Sequence, residues 1–463
     1  MSTIAWILLI ILIIVLSAQF AKRVLKKETY LGIFILVKTQ KLIKYLKNLS
    51  KFKKILNILA DIGIVLGFGA FGFDYLFKDK YKNKKWKRIT VFVITTLIFS
   101  TVTYFLAYGM LFKNVLIPKF FGIIIMFCTG IMGLSGFTLS SLVFSAYDII
   151  SKIFVKHTVA CAGVGLVIPG VQLPKTPIFI PWYGWIILII AAMIHEFSHG
   201  AMLAKMKVKI KSMGVILASI LPLGAFVEPD DKEVKKQKNK EIVRMYSAGP
   251  TSNTFLAAIF FIILFFITPG ISKYMNSVDQ NAYYPGVYIT NVTPETSVCG
   301  TISPNPAYGK LQAGDLIISA NGKTILTSSD LTKAINQQGT NTFVVQTKDT
   351  NIIRTETIVP NELGKLGFTA ESILKENYVK PPKYNFYKNL YNIIFWFALL
   401  NFVIATVNFL PTIPFDGGFM SQVIFSEYLN KKTPKKKRMK KVSKFFGTLI
   451  ILLLILNIIP YFL

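Results

Sequence analysis

The sequence predicts an α-helical polytopic membrane protein that carries one inserted soluble α+β domain. Hydrophobic residues make up 53% of the chain and charged residues only 16%, whereas about 25% of an average soluble domain is charged. Crossing a hydrocarbon core takes roughly 20 apolar residues. Runs of about this length lie at 4–20, 56–77, 89–112, 120–148, 183–203, 247–268, 388–410 and 445–463. We therefore expect about eight transmembrane helices.

The formal net charge of +31 is concentrated in blocks beside these apolar runs. The blocks are Lys22 to Lys54, Lys78 to Arg88, Lys205 to Arg244 and Lys431 to Lys444. Basic flanks set the orientation of membrane helices and contact anionic headgroups. Because no aromatic-interleaved nucleic-acid motif accompanies the lysines, the expected partner of this charge is the lipid bilayer and not a nucleic acid.

The same blocks predict an orientation in the cell membrane. The positive-inside bias places 205–244 and 431–444 in the cytoplasm. The run 247–268 then leads out and 388–410 returns, so the segment between them is expected on the extracytoplasmic side. The block 78–88 contradicts this bias if 56–77 crosses. The sequence leaves open whether that run is re-entrant or the bias fails here.

Four regions are predicted along the chain. Residues 1–150 form an N-terminal membrane region of unknown role, and 151–270 form the first part of a membrane core. The core resumes at 388–463, after a soluble domain within 271–387. In this domain, 283–372 alternates short strands with turn residues, and "AGDLIISANGKTI" predicts two strands joined by an Asn-Gly hairpin.

The quoted stretch resembles a PDZ domain, a fold that captures an extended peptide along a strand edge. The resemblance implies that the domain binds the tail of a substrate outside the cytoplasm. Steric exclusion of proteins with bulky outer domains is the alternative role.

Two histidines and a glutamate interrupt the apolar run 183–203. At a 1.5 Å rise per residue His195 lies about 20 Å below Trp182, inside the bilayer and nearer its cytoplasmic face. Ionisable residues at such depth are costly and mark functional sites. His195 and His199 share one helical face and can hold one zinc ion, and Glu196 is placed to take a proton from the attacking water.

A catalytic zinc site takes three protein ligands and keeps one open position. Pro411 and Pro414 break the helix over 388–410, and broken backbone at membrane depth lines protein or a wet cavity. Asp416 follows this break at the depth expected for the histidines. Glu228, in "LGAFVEPDD", is the rival third ligand.

The segments "HEFSHG", "SAGPTSN" and "NFLPTIPFDGG" occur in this order around the PDZ-like domain. The chain from about 180 to 418 thereby resembles the site-2 protease family of intramembrane zinc proteases, and "IPGVQLP" and "PLGAFVE" are similar to its archaeal and eukaryotic branch. The resemblance implies Zn²⁺ bound by His195, His199 and Asp416, with Glu196 as general base. It also implies transmembrane protein substrates and a role in regulated intramembrane proteolysis.

Two features depart from the family or fall outside it. The second proline of the family's Asn-x-x-Pro-x-Pro pattern is displaced here to Pro414, although Asn408, Pro411 and Asp416 keep their spacing. Residues 1–150 are not covered by the resemblance, so it says nothing about their role.

Further candidates concern the substrate. Asn253 and Asn408 are candidate donors to the oxyanion that forms during peptide hydrolysis, although asparagine in a membrane helix also bonds neighbouring helices. The apolar stretch Ser212 to Val227 predicts a re-entrant segment or a strand pair, with an edge to which an unwound substrate can add a strand. An ordinary buried hairpin is the alternative.

Two other functions remain open. A transporter can use intramembrane His, Glu and Asp as an ion or proton relay, but it predicts broken helices in matching halves, and the sequence indicates one broken helix. An inactive PDZ-bearing protein that binds membrane proteins predicts loss of the base or of a ligand, yet all four candidate positions are filled. The three cysteines show no metal-ligand spacing and no obvious disulfide framework.

Overall fold

The computed structural model describes residues 12, 15–24, 28–30, 34–81, 83–107, 119–155, 160–165, 168–171, 178–219, 221–298, 301–336, 339–361, 364–376 and 378–462. Most of the first predicted crossing, 4–20, lies outside these residues, and its part at 15–20 is helical. The other helices, in chain order, are α1 (Ile43–Leu49), α2 (Lys53–Phe77), α3 (Lys85–Ala107), α4 (Lys119–Ile150), α5 (Gly184–Lys205), α6 (Asp231–Lys235), α7 (Asn239–Ala282), α8 (Ser328–Ala334), α9 (Pro382–Asn408), α10 (Asp416–Ser426) and α11 (Lys435–Ile458).

Within the described residues, seven helices are long and apolar enough to cross a membrane: α2, α3, α4, α5, α7, α9 and α11. They coincide with the seven predicted crossings that follow the first. The longest, α7, has 44 residues and is therefore about 66 Å long, more than twice the roughly 30 Å of a hydrocarbon core. Its far end leads into the inserted domain.

Helix α2 is not one continuous helix. Gly69 has φ +52° and ψ −130°, which interrupts the helix. A Cβ added to Gly72 would lie 2.2 Å from the carbonyl oxygen of Ile64, although these residues would be about 12 Å apart along a straight helix. Ile64 and Tyr75 also pack in one cluster with Val243. The chain therefore reverses at Gly69, and both ends of α2 lie at the same end of the bundle.

Helix α4 reverses in the same way. Gly133 has φ +59° and ψ −146°, and a Cβ on Gly136 would lie 2.1 Å from the Cys128 carbonyl oxygen. The ring centroids of Phe121 and Phe144 are 5.0 Å apart, whereas a straight helix would separate the two residues by about 35 Å.

The two reversals touch each other. A Cβ on Gly69 would lie 2.6 Å from the Gly130 carbonyl oxygen, and one on Gly133 would lie 2.2 Å from the Leu66 carbonyl oxygen. Backbones approach this closely only where no Cβ intervenes. Helix α3 runs once along the bundle between the two hairpins. The hairpins therefore enter the bundle from opposite ends, and their tips meet inside it.

This geometry corrects the predicted crossing 120–148, and it favours the re-entrant alternative that the sequence had left open for 56–77. Both segments have the length and hydropathy of a crossing, and both fold back. The physical reason is the positive φ of Gly69 and Gly133, where the chain reverses. Hydropathy does not distinguish such a glycine from one in a continuous helix. A re-entrant 56–77 also removes the conflict at 78–88, because that basic block then lies at the same end of the bundle as Arg244 and the start of α11.

A four-stranded antiparallel sheet lies beside α5. Its strands β1 (Glu28–Tyr30), β2 (Phe34–Thr39), β3 (Ile210–Ala218) and β4 (Leu221–Pro229) are adjacent in sequence order. The predicted strand pair over 212–227 is confirmed, with Met213 opposite Val227. Strands from the N-terminal region cover the β3 edge, so β4 is an edge strand among the described residues.

The insert is an α+β domain. Its strands are β5 (Val287–Val292), β6 (Glu295–Val298), β7 (Thr301–Pro304), β8 (Leu316–Ala320), β9 (Lys323–Thr324), β10 (Asn341–Gln346), β11 (Ile353–Ile358) and β12 (Phe368–Glu371). One sheet of order β11-β10-β8-β5-β12, with β9 on β8, packs on α8, and β6 pairs with β7. Its core centres on the buried side chains of Val287, Ile317, Phe343 and Ile358.

The insert stands on the antiparallel pair α7 and α9. At the junction the Lys380 ammonium donates to Asp279 at 2.8 Å, and the Tyr384 hydroxyl donates to the same carboxylate at 3.1 Å. Burial opposes the charge of Lys380, but its hydrogen bonds with Asp279, Tyr283 and Tyr384 outweigh this and raise its pKa above the ordinary value.

The cysteines differ in state, which their spacing did not indicate. Cys161 is disulfide-bonded, whereas Cys128 is a free, half-buried thiol. Cysteine spacing alone does not reveal which cysteines the fold brings together.

Candidate metal centre

Helix α5 presents two histidines on one face. Its apolar residues pack on neighbouring helices, and His195 and His199 are buried, with 6% and 8% of their surfaces exposed. Their Nε2 atoms are 3.1 Å apart. The helical spacing of one turn thus produces two imidazoles that converge on one point.

Asp416 completes the group. It begins α10, directly after the break at Pro411 and Pro414. Its Oδ2 lies 3.0 Å from Nε2 of His195 and 3.1 Å from Nε2 of His199. Among the described residues, His195, His199 and Asp416 form the cluster that could hold a metal ion.

Glycines allow the turn into α10. A Cβ on Gly417 would lie 2.2 Å from the Phe409 carbonyl oxygen, and one on Gly418 would lie 2.3 Å from the Thr412 carbonyl carbon. The "DGG" stretch therefore lets the start of α10 fold tightly against the loop that precedes it.

The hydrogen bonds of the histidines define their donor atoms. Nδ1 of His195 faces Asn253 Oδ1 at 2.7 Å, and Nδ1 of His199 faces the Met245 carbonyl oxygen at 2.7 Å. Both partners are acceptors, so each Nδ1 carries the proton and each Nε2 presents a lone pair. Two lone pairs and a carboxylate oxygen converge, which is an arrangement that a cation stabilises.

The donor set fits zinc. Two imidazole nitrogens and a carboxylate are a typical catalytic zinc set. Tetrahedral ligands at 2.0–2.1 Å from zinc are about 3.3 Å apart, close to the separations seen here. A Cβ on Gly249 would lie 2.3 Å from His199 Nε2, so glycine keeps α7 close to the ligand atoms without filling the site.

A relay of amides orients His195. The Asn253 amide nitrogen donates to Asn401 Oδ1 at 2.9 Å and to the Ala191 carbonyl oxygen at 3.2 Å. Asn401 in turn donates to the Phe397 carbonyl oxygen at 2.8 Å. Because the nitrogen of Asn253 is held on this side, its oxygen faces His195.

Glu196 points to the sheet. Its Oε2 accepts a hydrogen bond from the backbone N–H of Val227 at 3.0 Å. Since Val227 lies on β4, the carboxylate predicted as general base stands next to the edge of this strand.

The other predicted residues lie as follows. Asn253 touches His195, as described above, and its side-chain nitrogen is occupied. Asn408 donates to the Ile404 carbonyl oxygen of its own helix at 2.9 Å. Glu228 accepts from Ser212 Oγ at 2.7 Å and from the Lys38 ammonium at 3.1 Å. These hydrogen bonds, that of Ser212 first, hold the pKa of Glu228 below its ordinary value, and Glu228 is not part of the His-His-Asp cluster.

Sequence reasoning missed Asn401 and the Met245 carbonyl. Asn401 is a fully buried polar residue within the apolar run 388–410, so the signal used for His195 could have found it. A backbone carbonyl carries no such signal.

Comparison with known proteins agrees with this geometry. A family model described as Peptidase family M50 matches residues 183–455. An uncharacterized protein of Methanocaldococcus jannaschii is 31% identical over 269 residues, which are 57% of this chain and 62% of that protein. The chain thus spans less than two thirds of this relative's length. Since the family model covers more than half of the chain, including the HExxH helix and Asp416, the chain belongs to peptidase family M50, the site-2 protease family of membrane metallopeptidases.

Proposed function

We propose that this protein is a zinc-dependent intramembrane protease, which hydrolyses peptide bonds within or near transmembrane segments of other membrane proteins. The observation that carries the proposal is the convergence of His195, His199 and Asp416 in the membrane-spanning part of the bundle. Glu196 stands one residue from the first ligand and next to a strand edge.

The chemistry follows from these residues. Zinc, when bound, lowers the pKa of a water ligand and polarises a peptide carbonyl. Glu196 takes the proton of the attacking water and delivers it to the leaving amine. Asn253 and the Met245 carbonyl keep both imidazoles in the tautomer that this chemistry requires.

A transmembrane substrate must be unwound before its peptide bond is accessible, and β4 supports a route for this. Met213 is paired with Val227 and Val215 with Ala225. Because the N–H of Val227 points to Glu196 and outward positions alternate along a strand, the N–H of Ala225 also points to the edge of β4 that pairs with no described strand. An extended substrate strand that pairs there passes directly beside Glu196.

The proposed orientation places the active site nearer the cytoplasm and the insert outside. The basic blocks support it, and so does the disulfide at Cys161, since disulfides persist in oxidising compartments. In the insert, β12 is an edge strand among the described residues, and Gly367 with φ +89° precedes it. We propose that this edge captures a substrate tail in the manner of a PDZ domain.

The transporter alternative gains one observation. The hairpins α2 and α4 are matched broken helices that enter from opposite faces, which a transporter predicts. However, the residues at their tips, such as Phe68, Ala70, Met132 and Leu134, carry no ionisable group. The His-His-Asp cluster lies on other helices. The matched hairpins therefore do not support a role of this cluster in transport.

Metal content of the detergent-purified protein tests the proposal first. We expect about one zinc per chain in the wild type and loss of zinc in His195→Ala and in Asp416→Ala. Zinc that stays bound in Asp416→Ala would contradict the assigned ligands. Reconstituted wild type should also cleave a membrane-embedded peptide, and cleavage should stop after zinc removal and resume when zinc is restored.

A further inference from the structure

The N-terminal hairpin α2 contacts the metal-bearing loop directly. A Cβ on Gly67 would lie 2.3 Å from Cε1 of Phe409, and the Phe409 side chain is fully buried. The carbonyl of Phe409 is in turn the group against which Gly417 packs. Phe409 and Gly417 therefore link the hairpin to Asp416.

The helix that follows Asp416 rests on the same hairpin. Met420 and Ile424 of α10 pack with Ile64 and Phe68 in one buried cluster. The ring of Phe425 lies 5.9 Å from that of Phe68. Thus the hairpin contacts the chain on both sides of Asp416.

Polar contacts fix the far end of α10. Arg88 donates twice to the buried carboxylate of Asp74, at 2.6 Å and 2.5 Å, and the Tyr428 hydroxyl donates to the same carboxylate at 2.5 Å. The Lys78 ammonium pairs with Glu427 at 3.0 Å. A buried carboxylate satisfied in this way holds its partners in one geometry.

The part of α2 that precedes Gly69 also contacts α7, the helix that orients His199. Arg244 of α7 forms a bidentate pair with Asp61 at 2.7 Å and 2.6 Å, and Ser247 Oγ donates to the Ala60 carbonyl at 2.9 Å. Between these anchors lies Met245, whose carbonyl orients His199.

From these contacts we infer that the hairpin α2 is a positioning element for the metal site, with Gly67 as the residue that fixes the Asp416 loop. This assigns a role to part of the region 1–150. The inference rests on the proposed function, because it concerns the site that would hold zinc. Gly67 acts through Phe409 and touches no ligand.

Gly67→Ala tests the inference. Alanine is the better helix former, so the change acts mainly by pushing the Phe409 ring. Removing the support of a ligand typically costs 10- to 100-fold in metal affinity, and we expect the zinc affinity, measured by competition with a chelator, to fall by about this factor. The control is Gly122→Ala in α4, where nothing lies within 4 Å of the added Cβ, and it should retain zinc like the wild type.

A rescue separates positioning from general damage. Phe409→Leu makes room for the added methyl, so the double variant Gly67→Ala/Phe409→Leu should retain zinc better than Gly67→Ala alone. If Gly67→Ala does not yield folded protein, Tyr428→Phe removes one anchor without adding volume and should also lower the zinc affinity. Wild-type zinc retention in the folded variants would overturn the inference. Absence of zinc from the wild type would instead contradict the proposed function.

Discussion

Asn253 and His195 are joined by a hydrogen bond of 2.7 Å between Oδ1 and Nδ1. Asn253 is therefore placed to orient a metal ligand. Its amide nitrogen, which an oxyanion donor would need, already donates to Asn401 and to the Ala191 carbonyl. The geometry of this structure favours this orienting role, which the sequence did not predict, over the oxyanion role for which Asn253 was a candidate. The hydrogen bond to Asn401 agrees with the other role considered, a contact between helices.

Asn253→Ala distinguishes the orienting role from the oxyanion role. Loss of the acceptor frees the His195 imidazole, so zinc affinity should fall by about 10- to 100-fold, as measured by competition with a chelator. Asn253→Asp keeps an acceptor toward His195 and should bind zinc more tightly than Asn253→Ala. An oxyanion donor would behave differently, with kcat reduced and zinc affinity unchanged in Asn253→Ala.

Glu196→Gln should separate zinc binding from catalysis. Glutamine keeps a side-chain oxygen that can accept from Val227, so the fold and the zinc content should equal those of the wild type. It cannot take a proton, and a general base contributes at least about 100-fold to the rate. Cleavage of a reconstituted transmembrane peptide should fall by at least that factor, and normal cleavage by this variant would remove Glu196 from the mechanism.

Ala225→Pro tests the β4 edge. Proline is tolerated where the missing N–H faces away from the partner strand, so fold and zinc content should be kept. A main-chain hydrogen bond contributes about 1 kcal/mol, and the loss of one to the substrate should lower kcat/KM about fivefold. The control is Gly224→Ala, where nothing lies within 4 Å of the added Cβ. Equal kcat/KM in both variants would argue against strand addition at this edge.

The metal cluster was predictable because its signals are local and physical. Two histidines one turn apart inside an apolar run define a single helix face, and the prolines before Asp416 mark broken backbone at membrane depth. Neither signal depends on how the helices pack. The rival Glu228 could not be dismissed from the sequence, because its partner Lys38 lies on a strand far earlier in the chain.

The hairpin at 120–148 was not predictable from the same signals, whereas at 56–77 the basic block 78–88 had left re-entry open. A run such as 120–148 has the hydropathy of a crossing whether it continues or reverses. The reversal depends on one residue with positive φ, and glycine in a membrane helix usually serves close helix packing. The role of 1–150 was hidden for the same reason, since its contacts with Phe409 and Arg244 exist only once the hairpin has formed.

The orientation of the hairpin α2 can be measured by labelling single cysteines in intact cells with an impermeant maleimide. If α2 is re-entrant, the segment at Lys84 lies on the same side as Lys432 and opposite the insert. We expect label on the exposed position Asp349→Cys, and no label on Lys84→Cys or Lys432→Cys until the cells are permeabilised. The unsubstituted chain sets the background, because Cys128 is a half-buried free thiol. Labelling of Lys84→Cys from outside would mean that α2 crosses the membrane, and it would also contradict the positioning role assigned to Gly67.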